Sequence, residues 1–271
     1  MKKSLKHNSG LTKQVIISIL IWSVSLVLLL SFDIKLITNE ALNKAYIHAK
    51  SSFDKDIIYR IWTSNKGGIY VKADSATPPN PYLENLPERD LIIDSAVTYT
   101  LMNPAYMTRQ IYEMETVTTE TRSHITSLNP IRAKNKADEW ETETLQKFKN
   151  GLMEFSELDS LDGKEYFRYM APLFVEESCL KCHKQQGYKL GDMRGGISIS
   201  YPMDQIYLSV KSDIKNQYLL YGIIWLIGIG IIIISFFYLK KSENKRYAAE
   251  VSLVNLNNQL EETIKERTNN L

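Results

Sequence analysis

Two uncharged apolar runs bracket this chain and limit what it can fold into. Residues 15–32 (VIISILIWSVSLVLLLSF) and 218–239 (YLLYGIIWLIGIGIIIISFFYL) hold no Asp, Glu, Lys or Arg. Each is long enough to cross a hydrocarbon core as one helix. The first run continues into LLLSFDIKLITNE without an A-x-A-like site, which predicts an uncleaved signal anchor. In the second, Tyr218, Tyr221, Trp225 and Tyr238 sit toward the ends, where interfacial aromatics anchor. Lys2, Lys3, Lys6 and Lys13 precede the first run, and Lys240, Lys241, Lys245 and Arg246 follow the second. The positive-inside rule then predicts a two-pass protein of the bacterial cytoplasmic (inner) membrane, with both ends cytoplasmic and the middle periplasmic. The expected segments are a cytoplasmic N-terminus (1–13), transmembrane helix 1 (14–36), a periplasmic domain (37–216), transmembrane helix 2 (217–239) and a cytoplasmic helix (240–271).

The most chemically specific motif lies in the exported segment. Cys179-Leu180-Lys181-Cys182-His183 reads C-x-x-C-H, and these are the only two cysteines of the chain. This is the c-type haem attachment pattern. Two thiols add across the haem vinyl groups, and the adjacent histidine becomes an axial iron ligand. A redox dithiol, a disulfide or half of a zinc site are the other uses of such a pair. A zinc site needs two further ligands, and the only histidines are His7, His48, His124 and His183. A thioredoxin-like motif would need a βαβ setting that the sequence lacks. Haem c is attached outside the cytoplasmic membrane, where the predicted topology puts Cys179 and Cys182.

The exported segment is long enough for one core. Ala41, Ala45, Ala49, Phe53 and Ile57 recur every fourth residue, predicting a helix over 39–62 that continues the first span. Gly67-Gly68 breaks it, and a strand starts at Ile69. The proline-rich stretch 77–90 predicts a loop. Strands are expected over 97–102 and 117–128, with a short helix, PAYMTRQIYEME, between them. DEWETETLQKFKN (138–150) predicts an amphipathic helix closed by Gly151. A hairpin turning at Asp162-Gly163 and a last strand at 197–201 complete the order. The fold class expected is α+β: a PAS-like antiparallel sheet with helices packed on one face, inserted between two transmembrane helices and followed by a coiled coil.

The blocks GGIYV, TPPNPYLENLPERD, LMNPAYMTRQIYE, HITSLNP, EW, FRYMAPL, CLKCH, QQGYKLGD and RGGISISYPM occur in that order over about residues 53–203. Together they resemble the periplasmic haem-c-binding PAS-like sensor domain that heads many bacterial membrane histidine kinases and diguanylate cyclases. The resemblance implies sensing through covalent haem c, with output on the cytoplasmic side. After the second span, Leu253, Leu256, Leu260, Ile264 and Leu271 share one helical face, and Glu261 and Lys265 are spaced as an i,i+4 pair. An apolar stripe on a lone helix needs a partner, so a homodimeric coiled coil is expected. A solvated amphipathic helix is the plainer alternative. The tail carries no kinase histidine box, nucleotide-binding glycine motif or cyclase signature. An output domain or separate output partner is expected beyond it, and this chain is expected not to be an enzyme.

His183 is the proximal iron ligand by motif. Opposite it, Met107 and His124 are the leading distal candidates, with Met102, Met170, His48 and an open or water-bound site behind them. A methionine would favour a redox sensor, and an open site a diatomic gas sensor. Arg109, Arg122, Arg132, Arg168 and Arg194 are candidate partners for haem propionates, because guanidinium matches carboxylate bidentately. The formal net charge of +2 over 271 residues gives no electrostatic case for nucleic acid. The functional expectation is a membrane-anchored haem c sensor of redox state or a diatomic gas. A membrane-anchored electron-transfer cytochrome is the alternative, and a small-molecule sensor with a CLKCH disulfide stands behind both.

Overall fold

A computed structural model describes residues 2–93 and 97–269, with the side chains of 2–9, 181, 182, 205 and 266–269 outside the described set. Contacts divide the chain into two units, Met1–Thr38 with Lys211–Leu271, and Asn39–Val210.

The first unit consists of parts of α1 (Lys2–Asn65) and α5 (Asp204–Asn269). Both helices are long and apolar enough to cross a membrane, and their apolar windows are almost wholly unburied. Leu28 and Ile234 are typical of the outward-facing side chains. This fits a two-pass membrane protein. Polar pairs join the two helices: the Tyr221 hydroxyl donates to Asp33 at 2.7 Å, and the Trp225 indole N–H donates to Ser23 Oγ at 2.9 Å. Between them, Gly228 faces the Trp22 indole so closely that a Cβ would collide with the ring.

The second unit is α+β, with two antiparallel sheets rather than the single sheet expected. One has the order β1-β3-β2, made of β1 (Ile69–Lys72), β2 (Asp90–Ile92) and β3 (Thr98–Met102). The other has the order β4-β7-β6-β5, from β4 (Arg122–Thr126), β5 (Phe155–Leu161), β6 (Lys164–Phe174) and β7 (Met193–Pro202).

Helices cover both faces of the larger sheet, which corrects the expectation of one covered face. On one face Phe167, Tyr169, Ala171, Ile197 and Ile199 pack against Ala45, Ala49 and Phe53 of α1 and Tyr112 of α2 (Pro104–Thr119). The alanine stripe is buried as its spacing predicts. On the other face Met170 packs with Leu145 and Phe148 of α3 (Glu139–Lys149). The alternation along β6 explains this: residues 167, 169 and 171 serve one face, and Arg168 and Met170 the other. Arg168 sits there because Asp138 and Asp159 accept from it at 2.6 and 2.9 Å. The start of α3 is a full capping box between Asp138 and Glu141.

Two further expectations are corrected. The helix α2 runs on to Thr119, and β4 is shorter than the strand predicted over 117–128. The hydroxyls of Thr116, Thr118 and Thr119 bond back to carbonyls four residues earlier, so these β-branched residues satisfy their own polar groups within the helix. Glu120 then ends the helix in a left-handed conformation, φ 58°. Within the predicted loop 77–90, Asn80 caps a 3-10 turn at Pro81–Leu83, and β2 begins at its end.

Candidate functional site

The C-x-x-C-H segment lies on a loop between β6 and β7. The base of that loop is cinched by backbone bonds from Val175 N to Asp192 O and from Gly191 N to Val175 O, both 2.9 Å. A 3-10 turn (Glu177–Cys179) leads into the single-turn helix α4 (Leu180–His183), and a second 3-10 turn (Lys184–Gln186) closes at Gly187 with φ 85°. Ser64 of α1 donates to Ser178 at 2.6 Å, and Gln186 Nε2 donates to the Asn129 carbonyl at 3.2 Å. The motif is thereby tied to the body of its unit on two sides.

Two adjoining cavities, of about 140 and 370 Å³, share His183 and Arg194 in their walls. The larger has apolar walls from Phe53, Ile57 and Ile61 of α1 and from Pro172, Leu173 and Phe174 of β6, with Cys179 at its edge. Cys179 is a half-buried free thiol. The Cys182 side chain lies outside the described residues. The smaller cavity has four arginines, Arg60, Arg109, Arg132 and Arg194, and no carboxylate among its described lining residues. Buried Thr126 Oγ1, whose residue also lines it, has no hydrogen-bond partner among the described residues.

His183 makes both of its described hydrogen-bond contacts through Nδ1, at 2.7 Å from Gln186 Oε1 and 3.2 Å from Arg194 Nε. The carbonyl oxygen accepts and the guanidinium donates, so one ring nitrogen cannot serve both. The shorter contact favours a proton on Nδ1 and leaves Nε2 with its lone pair. Burial, opposed by the Gln186 bond and aided by the Arg194 and Arg60 charges, lowers the His183 pKa. A neutral imidazole with one nitrogen fixed by an acceptor is the form in which histidine ligates metals.

Among the arginines singled out from sequence, Arg109, Arg132 and Arg194 line the smaller cavity. Arg122 instead pairs with Asp162 at 2.6 Å, and Arg168 is held by Asp138 and Asp159. Arg60 was missed, although it follows Ile57 by three residues and so extends the Phe53–Ile57 face of α1. It lines both cavities, and burial lowers its pKa.

Neither leading distal candidate lines either cavity. Met107 Sδ accepts from Thr63 at 3.3 Å, and His124 is bonded at both ring nitrogens, to Glu141 and to the Lys134 carbonyl. Of the others, Met170 is fully buried against α3, His48 is exposed and stacked on Tyr201 at 5.2 Å, and Met102 pairs with Ile69 in the smaller sheet. The site therefore offers a free thiol, a ligand-ready imidazole, apolar walls and a guanidinium cluster. That donor set suits a largely apolar ligand with anionic groups.

No curated protein matches the chain. A solved structure described as that of the cyanobacterial heme-protein Tll0287 is similar at 17% identity and a TM-score of 0.37, covering 60% of this chain and 95% of that one. The Tll0287-like family model matches residues 22–202, most of the sequence. By that match, the chain belongs to the Tll0287-like family.

Proposed function

We propose that this chain is a membrane-anchored haem c sensor that signals to a cytoplasmic output domain or partner. One observation carries the reading: Cys179 and His183 of the C-x-x-C-H motif edge a cavity that is apolar on one side and arginine-lined on the other. Membership of a family named for a heme-protein supports haem as the group held. Cys179 and Cys182 would attach it covalently, and His183 would ligate the iron. Apolar residues of α1 and β6 would cover the ring, and arginines at the smaller cavity would pair with the propionates. The bound haem would supply redox or ligand-binding chemistry, and the chain itself no catalysis.

The domain would be PAS-like in arrangement, and lysine placement supports its periplasmic location. A sensor is favoured over an electron carrier by the tail of α5, where Leu253, Leu256, Leu260 and Ile264 are all more than half exposed. A homodimeric coiled coil would cover that stripe and relay the signal, whereas a carrier has no use for one.

A pyridine haemochrome spectrum, taken after expression with the haem c maturation machinery, tests the cofactor. Covalent haem c is expected in the wild type and absent from Cys179→Ala/Cys182→Ala. Covalent haem that survives the double substitution, or is absent from the wild type, would overturn the reading. Deleting 250–271 tests the signalling part: the downstream response should vanish while the haem spectrum stays intact.

A further inference from the structure

The protein supplies one side of an iron site and, among the described residues, no second. Among the described residues, neither cavity is lined by a methionine, a lysine, a histidine other than His183 or a cysteine other than Cys179; of the two tyrosines on the smaller wall, Tyr106 donates to the Pro78 carbonyl at 2.7 Å and Tyr82 is about half exposed. The only carboxylate on either wall, Glu176, is exposed. The five side chains that sequence offered for the distal position are engaged or placed elsewhere, as described above. Reaching the cavity with Met107, His124 or Met170 would mean breaking the Thr63–Met107 contact, the His124–Glu141 pair or the packing of α3 on Met170.

The same walls hold a cation short of partners. The guanidinium of Arg60 makes one described hydrogen bond, a long one of 3.4 Å to Thr108 Oγ1, and no ion pair within 4.0 Å among the described residues. Its nearest acid along α1, Asp56, accepts from the Tyr112 hydroxyl at 2.6 Å and is not within ion-pair distance of Arg60. Arg194, by contrast, is held by Ser127 at 2.6 Å and lies over the Tyr188 ring. Two propionates cannot neutralise four arginines, so positive charge is left over at the cavity once the haem's own acids are paired. A half-buried guanidinium on a cavity wall stabilises a negative charge better than one in open water would.

We propose that the second axial position is left to a small exogenous ligand, and that Arg60 selects anionic ones by donating to them. This rests on the haem c reading and deepens it. The stimulus class it names is a small anion able to ligate ferric iron, in preference to a neutral gas.

The test uses the full-length protein, purified in detergent with its haem matured. The ferric form is titrated with cyanide, azide and fluoride, and the ferrous form with carbon monoxide, each followed by absorbance. The wild type is expected to be high-spin when ferric and to shift with each anion. Arg60→Gln should weaken anion binding by about tenfold or more, the scale of one charge-assisted hydrogen bond, while changing carbon monoxide binding by less than about threefold. Arg60→Lys keeps the charge, guards against a folding defect and should retain part of the anion affinity. A low-spin ferric spectrum that no ligand moves would overturn the open position. Anion affinities unchanged in both variants would overturn the role of Arg60. Absence of haem from the wild type would instead overturn the reading beneath.

Discussion

His124 meets acceptors at both ring nitrogens: Nδ1 is 2.9 Å from the Glu141 carboxylate, and Nε2 is 2.9 Å from the Lys134 carbonyl. An imidazole that donates from both nitrogens is an imidazolium. Burial alone would lower its pKa, but the bond and charge of Glu141 outweigh burial and raise it. Glu141 is fully buried, also accepts from Ser198 and from the Asp138 backbone N–H, and is held below its ordinary pKa by these partners against the pull of burial. The pair joins β4 to the cap of α3.

Replacing His124 by Phe should leave the haem spectrum unchanged, because this residue is not at the cavity with His183. It should lower stability by about 3 kcal/mol, since Glu141 would remain as an unpaired buried charge. For a unit of this size that is a fall in Tm of roughly 6–12 °C. The pH dependence has a definite sign. A raised histidine pKa contributes stability that is present below about 6.5, the ordinary histidine value, and is lost as pH rises through the folded pKa. A thermal melt series from pH 5 to 9, compared with that of His124→Phe, would measure it.

Asp56 gives a second pH effect. Burial pushes its pKa from 3.8 up to about 6, against the Tyr112 hydrogen bond, with Glu115 adding to the rise and Arg60 and Lys55 opposing it. An acid with a raised folded pKa stabilises the fold below its ordinary value and loses that contribution as pH rises toward about 6. Asp56→Asn should remove this slope and be more stable than wild type at pH 7.5 by roughly 1–3 kcal/mol. Urea unfolding at pH 4.5 and 7.5 for the two proteins would test it, and equal slopes would count against it.

Gly228 offers a test in the membrane unit with a built-in control. A Cβ at Gly228 would enter the Trp22 ring, whereas a Cβ at Gly230 would meet nothing within 4 Å. Gly228→Val should separate the two helices there, and with them the Trp225–Ser23 bond. The expected readouts are altered tryptophan fluorescence and a melting midpoint in detergent lower by about 5 °C or more. Gly230→Val should match wild type in both.

The tail gives a prediction about assembly. Leu256→Asp/Leu260→Asp puts charge into the middle of the exposed stripe and should convert a dimer to a monomer in detergent, measured by light scattering, with haem content unchanged. A wild type that is monomeric at micromolar concentration would remove the coiled coil from the proposal.

Of the candidate site, the C-x-x-C-H motif could be read from the sequence because Cys179 and His183 lie within five residues, and both line the larger cavity. The alanine stripe was legible because helical spacing survives in sequence. What stayed hidden depends on contacts between distant segments. Arg60 reaches His183 only through the packing of α1 beside the β6–β7 loop. His124 read as a candidate iron ligand because Glu141, its partner, lies on another element, seventeen residues on. The threonines at the end of α2 carried a strand signal by β-branching, yet the helix runs through them to Thr119. The second covered face escaped notice because Arg168 and Ser198 look like solvent-facing residues until Asp138 and Glu141 are set against them.

The four arginines of the smaller cavity bear on more than recognition. With no acid among the described residues of that wall, their like charges push against one another unless an anion is bound there. An anionic group bound there would relieve that repulsion, and occupancy and folding would then form one equilibrium. A chain that misses its cargo opens more easily, and proteases that sample open states would clear it first.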